Sequence, residues 1–172
     1  DSALPQGFTY EQDLNAKFSS DIRYGTDERN VLDIFMPESS EPTPLIIYVH
    51  GGGFFTGQKE HAYFTPSDIN ETLLEEVAYA TINYSLIDVP GFTAGVTSPD
   101  AEGVEKSLSD VKEALQFLRY NAESFNIDPS KIAMYGVSAG AGSSLWLALS
   151  DDMIDHNSEN PLAQQSTRIL AA

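Results

Sequence analysis

The chain has 172 residues, is 41% hydrophobic and carries 26 acidic against 9 basic residues, a formal net charge of −17. This acidity disfavours a nucleic-acid partner and an anionic membrane surface, because both are recognised through clustered Lys and Arg. No apolar run approaches the roughly 18–20 residues that would span a bilayer. The absence of cysteine excludes disulfides, thiolate nucleophiles and cysteine-bound zinc. The length predicts one compact domain, and the acidity favours a secreted or periplasmic location over the cytoplasm.

Predicted strands and helices alternate after an N-terminal arm over residues 1–17. Two short strands, at residues 18–24 and 31–36, flank a polar hairpin turn. Continuous apolar runs, typical of strands buried on both faces, lie at residues 45–49, 77–84 and 131–135. Helices are predicted over residues 67–76 (with Ser67 as the N-cap), 104–125 and 139–149. The order predicts an α/β fold whose mostly parallel sheet has helices on both faces. The irregular residues 87–103 are typical of a lid or binding loop.

A G-x-S-x-G pattern, G-V-S-A-G, occupies residues 136–140, between a predicted buried strand and a predicted helix. A turn from a strand straight into a helix is so tight that the residues two before and two after the serine must lack bulk, which glycine satisfies. The turn pushes the Ser138 hydroxyl out over the edge of the sheet, beside the positive N-terminus of the helix. The pattern by itself also fits a glycine-rich turn without chemistry.

A second glycine motif follows the predicted strand at residues 45–49. It consists of His50, Gly51, Gly52 and Gly53, and continues as F-F-T-G over residues 54–57. Three consecutive glycines allow backbone N–H groups to point inward, as an anion developing on a carbonyl oxygen requires. A flexible hairpin is the alternative, but such loops seldom combine three glycines with two phenylalanines. Both motifs lie at the carboxyl ends of predicted parallel strands, the edge where open α/β sheets bind ligands.

At these residues the chain resembles the α/β-hydrolase superfamily, specifically carboxylesterases with an H-G-G-G motif. Three further segments resemble family patterns: I-N-Y at residues 82–84, D-V-K-E-A-L at 110–115 and D-P-S-K-I at 128–132. The resemblance runs from the hairpin at residues 22–36 to Arg168. Ser85 stands where the family commonly has arginine, which questions a structural ion pair. The long stretch at residues 87–103 replaces a shorter connection, which questions the shape of the substrate pocket.

The resemblance implies a role for each motif residue. Ser138 would be the nucleophile, the amides of Gly52, Gly53 and Ala139 the oxyanion hole, and His50 and Gly51 would support the loop. His50 is not expected to be the general base, because the family's triad follows the chain order Ser, Asp or Glu, then His. The resemblance implies neither a metal ion nor an organic cofactor.

The sequence lacks a convincing general base. His156 is the only histidine after Ser138, and it lies in the polar residues 150–160, which predict a solvated loop. His61 is predicted at a pocket rim or on the surface. Residues 167–172 look like the start of another strand. We therefore expect residues 1–172 to be the N-terminal portion of a single α/β-hydrolase domain, incomplete at its C-terminal side. The remaining strands, the acid and the base would come from a second chain or a missing segment.

The predicted function is hydrolysis of small carboxylic esters, acetylated sugars included, by acyl transfer to Ser138 and then to water. Within enzymes, the alternatives are a peptidase or a feruloyl or tannin esterase on the same scaffold. Outside enzymes, the alternative is a binding or adhesion protein built on a catalytically dead hydrolase fold. The intact serine and glycines argue against that last alternative.

Overall fold

The computed structural model describes residues 2–11, 14–88 and 101–172, with backbone only at 101–103. In these ranges a five-stranded sheet is flanked by three α-helices. The strands are β1 (Ala16–Arg23), β2 (Val31–Pro37), β3 (Thr43–Val49), β4 (Ala78–Ile82) and β5 (Ile127–Gly136). The helices are α1 (Pro66–Leu74), α2 (Ala101–Tyr120) and α3 (Ala139–Leu149), and a 3₁₀ helix spans Lys59–Phe64.

The strand order is β1-β2-β4-β3-β5. Strand β3 is parallel to both of its neighbours, β4 and β5, whereas β1 and β2 form an antiparallel hairpin that joins the sheet through β4. The chain therefore moves from β3 through α1 to β4, then returns past β3 through α2 to β5. Crossovers of one handedness in opposite directions must use opposite faces of the sheet. The predicted α/β class and the hairpin are confirmed.

The core is divided by the sheet into two layers. Residues Leu45, Ile47 and Val49 of β3 face helices α2 and α3, which contribute buried side chains such as Leu115 and Leu147. Tyr48 of the same strand faces the other layer, which contains α1. Alternate residues of a strand point to opposite faces, so a strand covered on both sides must be apolar throughout. This explains the continuous apolar run of β3.

Several predicted boundaries are wrong by a few residues. Strand β4 is shorter than residues 77–84, because the chain leaves the β3 ladder after Ile82. Helix α2 ends at Tyr120 instead of residue 125, although its apolar stripe continues to buried Ala122. Irregular turns follow it, and Asn126 adopts a positive φ of 51°. The apolar pattern therefore outlasts the helix, because the turns that follow α2 still pack on the core.

Two predicted helix starts are also corrected. Ser67 is not the N-cap of α1: Thr65 holds that position without a side-chain bond, and Pro66 occupies the first helical position. Proline is favoured there because its missing N–H would have no helical partner. Helix α2 begins at Ala101, so the last three residues of the stretch predicted as irregular are helical. Residues 89–100 of that stretch lie outside the described residues, and the predicted lid or binding loop falls on them.

The two ends of the chain also differ from their predictions. Strand β1 already begins at Ala16, so the predicted arm ends at residue 15. The arm is packed, since Phe8 is buried against the layer that contains α1. At the other end, Leu170 donates to Ile132 at 2.8 Å and Met134 donates to Ala171 at 3.1 Å, but no regular strand forms.

A buried lysine links the hairpin to the 3₁₀ helix. Lys59 Nζ lies 2.8 Å from Asp33, 3.0 Å from Asp21 and 2.7 Å from Glu60, and its side chain is 4% exposed. Burial alone would lower the pKa of Lys59, but its hydrogen bonds to Asp33 and Glu60 hold the pKa above its ordinary value. Asp33 is itself buried and also accepts bonds from Tyr63 Oη and the Asp21 amide. The cluster fixes the start of the 3₁₀ helix on the sheet.

We expect Lys59→Met to destabilise the protein by about 3 kcal/mol, because it leaves the Asp33 carboxylate buried without a cation. The low end of the usual range applies, since Tyr63 and the Asp21 amide still donate to Asp33. Chemical denaturation measures the loss. The matched control is Lys131→Met, which removes an exposed, solvent-screened ion pair to Asp128 and should cost far less than Lys59→Met. Equal costs for the two variants would contradict the assignment.

Candidate active site

The two glycine motifs meet at the carboxyl ends of β3 and β5. Parallel register pairs Tyr48 with Tyr135 and Val49 with Gly136, so the two strands end level with each other. Strand β3 is also the strand at which the winding of the sheet reverses. In open α/β sheets the crevice outside such a switch point is the usual ligand-binding position. The structure therefore brings Ser138 and the loop at residues 50–57 to one place.

Ser138 has a strained backbone. It caps α3 with φ 54° and ψ −113°, its side chain makes no capping bond, and the residue is exposed. A positive φ is rare for a residue with a Cβ and costs on the order of 1–3 kcal/mol unless the surroundings enforce it. The conformation turns the chain from β5 directly into α3. It leaves the hydroxyl at the N-terminal end of that helix, where the helix dipole is positive.

The glycines on either side of the serine permit close contact with β3. A Cβ on Gly136 would lie 2.4 Å from the Val49 carbonyl oxygen, and a Cβ on Gly140 only 2.0 Å from the same atom. Both contacts involve backbone, which cannot move aside as a flexible side chain can. Glycine at these two positions is therefore what allows the turn to sit directly against the end of β3.

The loop after β3 is held against this turn. A Cβ on Gly51 would lie 2.7 Å from the Val137 carbonyl oxygen, so glycine lets the loop touch the turn that carries Ser138. Gly52 and Gly53 have φ of 113° and 61°, and the amides of Phe55 and Thr56 both donate to the Gly52 carbonyl at 3.1 Å. Within the described ranges, the amides of Gly52, Gly53 and Ala139 donate to no acceptor. Three N–H groups are thus free beside the serine.

His50 is buried beneath this loop. Its Nδ1 lies 2.7 Å from the Gly51 carbonyl oxygen, and its ring stacks on Tyr84 with centroids 4.2 Å apart. Tyr84 Oη in turn donates to the His50 carbonyl at 2.8 Å. Burial lowers the pKa of His50 to about 4, so the ring is neutral at ordinary pH. A carbonyl only accepts, so Nδ1 carries the proton. These contacts fit a bracing role for His50.

Sequence reasoning missed Arg29, which reaches the loop from the turn between β1 and β2. Its Nη2 donates to the Gly57 carbonyl at 2.8 Å and lies 3.5 Å from His50 Nε2, while Nε donates to the Tyr84 carbonyl at 2.9 Å. No local pattern indicates this role, because a single arginine in an acidic turn resembles any exposed turn residue. The I-N-Y segment at residues 82–84 was the available signal, since Arg29 binds both its asparagine and its tyrosine.

The other two histidines are placed elsewhere. His61 lies on the 3₁₀ helix, 6.1 Å from the His50 ring and stacked on Phe64. His156 is exposed in a turn beyond the C-terminal end of α3, as predicted, whereas Ser138 is at the N-terminal end of that helix. Eleven helical residues span about 16 Å at the standard rise. The helix therefore separates His156 from the serine hydroxyl.

The substitution at Ser85 is compensated locally. The Ser85 amide donates to Asp110 at 2.8 Å, and Lys106 Nζ lies 2.5 Å from the Ser85 hydroxyl and 3.6 Å from Asp110. Asp110 belongs to the D-V-K-E-A-L segment of α2. Although Ser85 stands where the family commonly has arginine, an ion pair is present here, because Lys106 supplies the cation that faces Asp110.

A cavity of about 440 Å³ lies away from the serine, between the N-terminal arm and the 3₁₀ helix. It is lined by Lys59, Asp33 and Tyr63, whose polar groups already bind one another. It includes neither Ser138 nor the glycine loop. The described residues contain no cluster of His, Asp and Glu placed to hold a metal ion, and none of their helices could cross a bilayer.

The family to which this chain belongs is shown by comparison with known protein families. Residues 32–171 match the BD-FAE family, so the match includes both glycine motifs. The chain belongs to the BD-FAE family. This domain is of the α/β-hydrolase type, and the resemblance to carboxylesterases of that fold is confirmed.

Individual relatives of this BD-FAE chain are esterases. Gut esterase 1 from Caenorhabditis elegans is 33% identical over 138 residues, covering 80% of this chain and 23% of that protein. Juvenile hormone esterase from Tribolium castaneum is 33% identical over 131 residues, covering 75% and 21%. A solved structure, a truncated carbohydrate esterase from gut microbiota, aligns with a TM-score of 0.69 at 21% identity and covers 93% of this chain and 56% of that one. The α/β-hydrolase fold is thereby confirmed, and the chain spans about a quarter of the curated relatives.

The strain at Ser138 is measurable. Ser138→Ala and Ser138→Gly both remove the hydroxyl, but only glycine removes the Cβ that makes a φ of 54° costly. We expect the glycine variant to be more stable than the alanine variant by about 1 kcal/mol. Thermal or chemical unfolding gives the difference. At Ser150, where φ is −75°, the order of the same two variants should reverse. An alanine variant at position 138 as stable as the glycine variant would show that the turn is unstrained.

Proposed function

We propose that this BD-FAE domain hydrolyses carboxylic esters with Ser138 as the nucleophile. The observation that carries the proposal is an exposed, strained serine beside three free backbone amides. Ser138 Oγ would attack the ester carbonyl carbon while its proton passes to a general base. The amides of Gly52, Gly53 and Ala139 would hold the resulting oxyanion. The alcohol then leaves with that proton, and water releases the acid from the acyl-serine.

We also propose that the acid and the base lie outside these 172 residues. His50 has both ring nitrogens engaged, by Gly51 and Arg29. His61 packs between the rings of His50 and Phe64. His156 lies beyond the far end of α3. Exposed apolar side chains on the outer side of helix α3 favour its burial under a further layer of structure. Leu149 is 84% exposed and Leu145 is 51% exposed, one turn apart on the same face. A further part of the hydrolase domain would bury this face.

Small carboxylic esters, including acetylated sugars, are the substrates we propose. The named relatives include a gut esterase, a juvenile hormone esterase and a carbohydrate esterase, which have ester hydrolysis in common. A feruloyl or tannin esterase would use the same serine and loop, and a peptidase would too. The strained backbone at Ser138 argues against an inactive binding protein. Strained residues of this kind cluster at active sites, and here the strained residue carries the exposed hydroxyl.

The test of the nucleophile is covalent labelling. We expect a fluorophosphonate to add to Ser138 in the active protein, located by peptide mass spectrometry. Ser138→Ala should abolish both labelling and hydrolysis of a short aryl ester while the fold survives, because the exposed side chain packs against little. His156→Ala is the matched control for the base and should retain full activity. Ester hydrolysis at wild-type rate in Ser138→Ala would reject the proposal, and activity lost in His156→Ala would make His156 the base.

The glycine loop at residues 50–57, which we call the oxyanion loop from here on, has its own test. Gly52→Ala should lower kcat by on the order of 10²–10³, the scale of losing one oxyanion donor. A Cβ there would lie 2.1 Å from the Thr56 carbonyl oxygen, and the φ of 113° disfavours any side chain. The control is Gly142→Ala in α3, where a Cβ meets nothing within 4 Å and kcat should be unchanged. An increase in KM alone for Gly52→Ala would make the loop a substrate-binding element instead.

A further inference from the structure

The guanidinium of Arg29 connects three segments that are distant in the sequence. From the β1–β2 turn, its N–H groups donate hydrogen bonds to the carbonyls of Gly57 and Tyr84, and to Asn83 Oδ1 at 3.3 Å. Gly57 ends the loop that begins at Gly51, and Asn83 and Tyr84 follow β4. The remaining contact is with His50 Nε2, at 3.5 Å. Arg29 therefore touches the far end of the oxyanion loop and the ring that braces its beginning.

The contact with His50 fixes the state of that ring. Because Nδ1 donates its proton to the Gly51 carbonyl, Nε2 has a free electron pair that can only accept. Arg29 presents an N–H donor to Nε2, and its guanidinium is always charged. A protonated Nε2 would face the guanidinium as a second cation. Arg29 thus favours the neutral ring and the tautomer that holds Gly51.

Arg29 also keeps its charge uncompensated. In a chain with 26 acidic residues, no carboxylate within the described ranges forms an ion pair with it, although Lys59 nearby has three. Its acceptors are carbonyl oxygens, an amide oxygen and an imidazole, all neutral. The half-buried positive charge therefore remains effective at the loop, where the proposed reaction develops a negative charge.

We propose that Arg29 is a positioning residue that fixes the oxyanion loop at both ends, through the Gly57 carbonyl and through His50 to Gly51. The inference rests on the proposed esterase function for its kinetic consequence, but the loop geometry can be measured without it. A planar fork that serves two carbonyls and one ring nitrogen cannot be replaced by the single ammonium of lysine. Lysine at position 29 should therefore rescue little.

The kinetic test compares Arg29→Gln and Arg29→Lys with Arg23→Gln in the active protein. Arg23 is the matched control, because it lies in the same hairpin, is exposed, and its guanidinium has the Asp27 carbonyl as its one acceptor among the described residues. We expect both Arg29 variants to lose on the order of 10–10² in kcat with KM nearly unchanged, since a displaced loop misplaces the oxyanion donors. The inhibition constant of a trifluoromethyl ketone, whose tetrahedral adduct carries an oxyanion, should rise by the same factor. Arg23→Gln should alter none of these. A loss confined to KM, or full rescue by lysine, would overturn the proposal.

The structural test needs no activity. Hydrogen exchange should accelerate at the amides of Phe55 and Thr56 in Arg29→Gln while the strands stay protected. NMR titration should show the pKa of His50 raised above about 4, because a repelling charge is gone while His61 and Glu60 still face the ring. If wild-type protein neither labels at Ser138 nor cleaves esters, the proposed function fails, yet these two measurements still decide the role of Arg29. Unchanged exchange and an unchanged His50 titration would refute it.

Discussion

The close approach of two backbones at the end of β3 is the constraint on which the site depends. The Val49 carbonyl oxygen occupies the space that side chains at positions 136 and 140 would need, so the turn after β5 can lie against it only with glycine at both. The level register of β3 and β5 then sets the serine beside the glycine loop. Any enlargement at this contact would push α3 and its N-terminus away from the loop. The geometry of the site is therefore fixed by atoms that take no part in chemistry.

Two cations, the buried Lys59 and the half-buried Arg29, anchor the loop and the chain that follows it. Lys59 attaches the chain just after the loop to β1 and β2, and Arg29 attaches Gly57 to the end of β4. Lys59 reaches carboxylates of the β1–β2 hairpin, and Arg29 belongs to the turn of that hairpin. The loop between them has three consecutive residues at positive φ, Gly52, Gly53 and Phe54, a conformation that needs external support. Charged anchors at fixed distances supply that support, and His50 fills the space below.

The sequence was sufficient for the α/β class, the hairpin and the meeting of the two glycine motifs, because apolar periodicity and glycine placement are local. It was insufficient for the contact of Arg29 with Gly57, 28 residues away, and for the contact of Lys59 with Asp33, 26 residues away. It was also insufficient for the end of α2, since Ala122 remains buried after the helix has ended. Packing preserved the apolar pattern there, while the backbone turned. Helix ends and long-range ion pairs are thus the features that a reading of local pattern cannot supply.

The attachment of the loop to the hairpin couples function to the outermost strands of the sheet. Within the described residues the hairpin pairs with the rest of the sheet through the β2–β4 ladder, and native proteins open locally in contiguous units that often coincide with motifs such as a hairpin. An opening of β1 and β2 would release Arg29 from Gly57 and separate Lys59 from Asp33 in one event, while β3, β5 and the serine turn stayed folded. Thermal inactivation of such a protein would then follow a local unfolding equilibrium, ahead of the cooperative melting of the core.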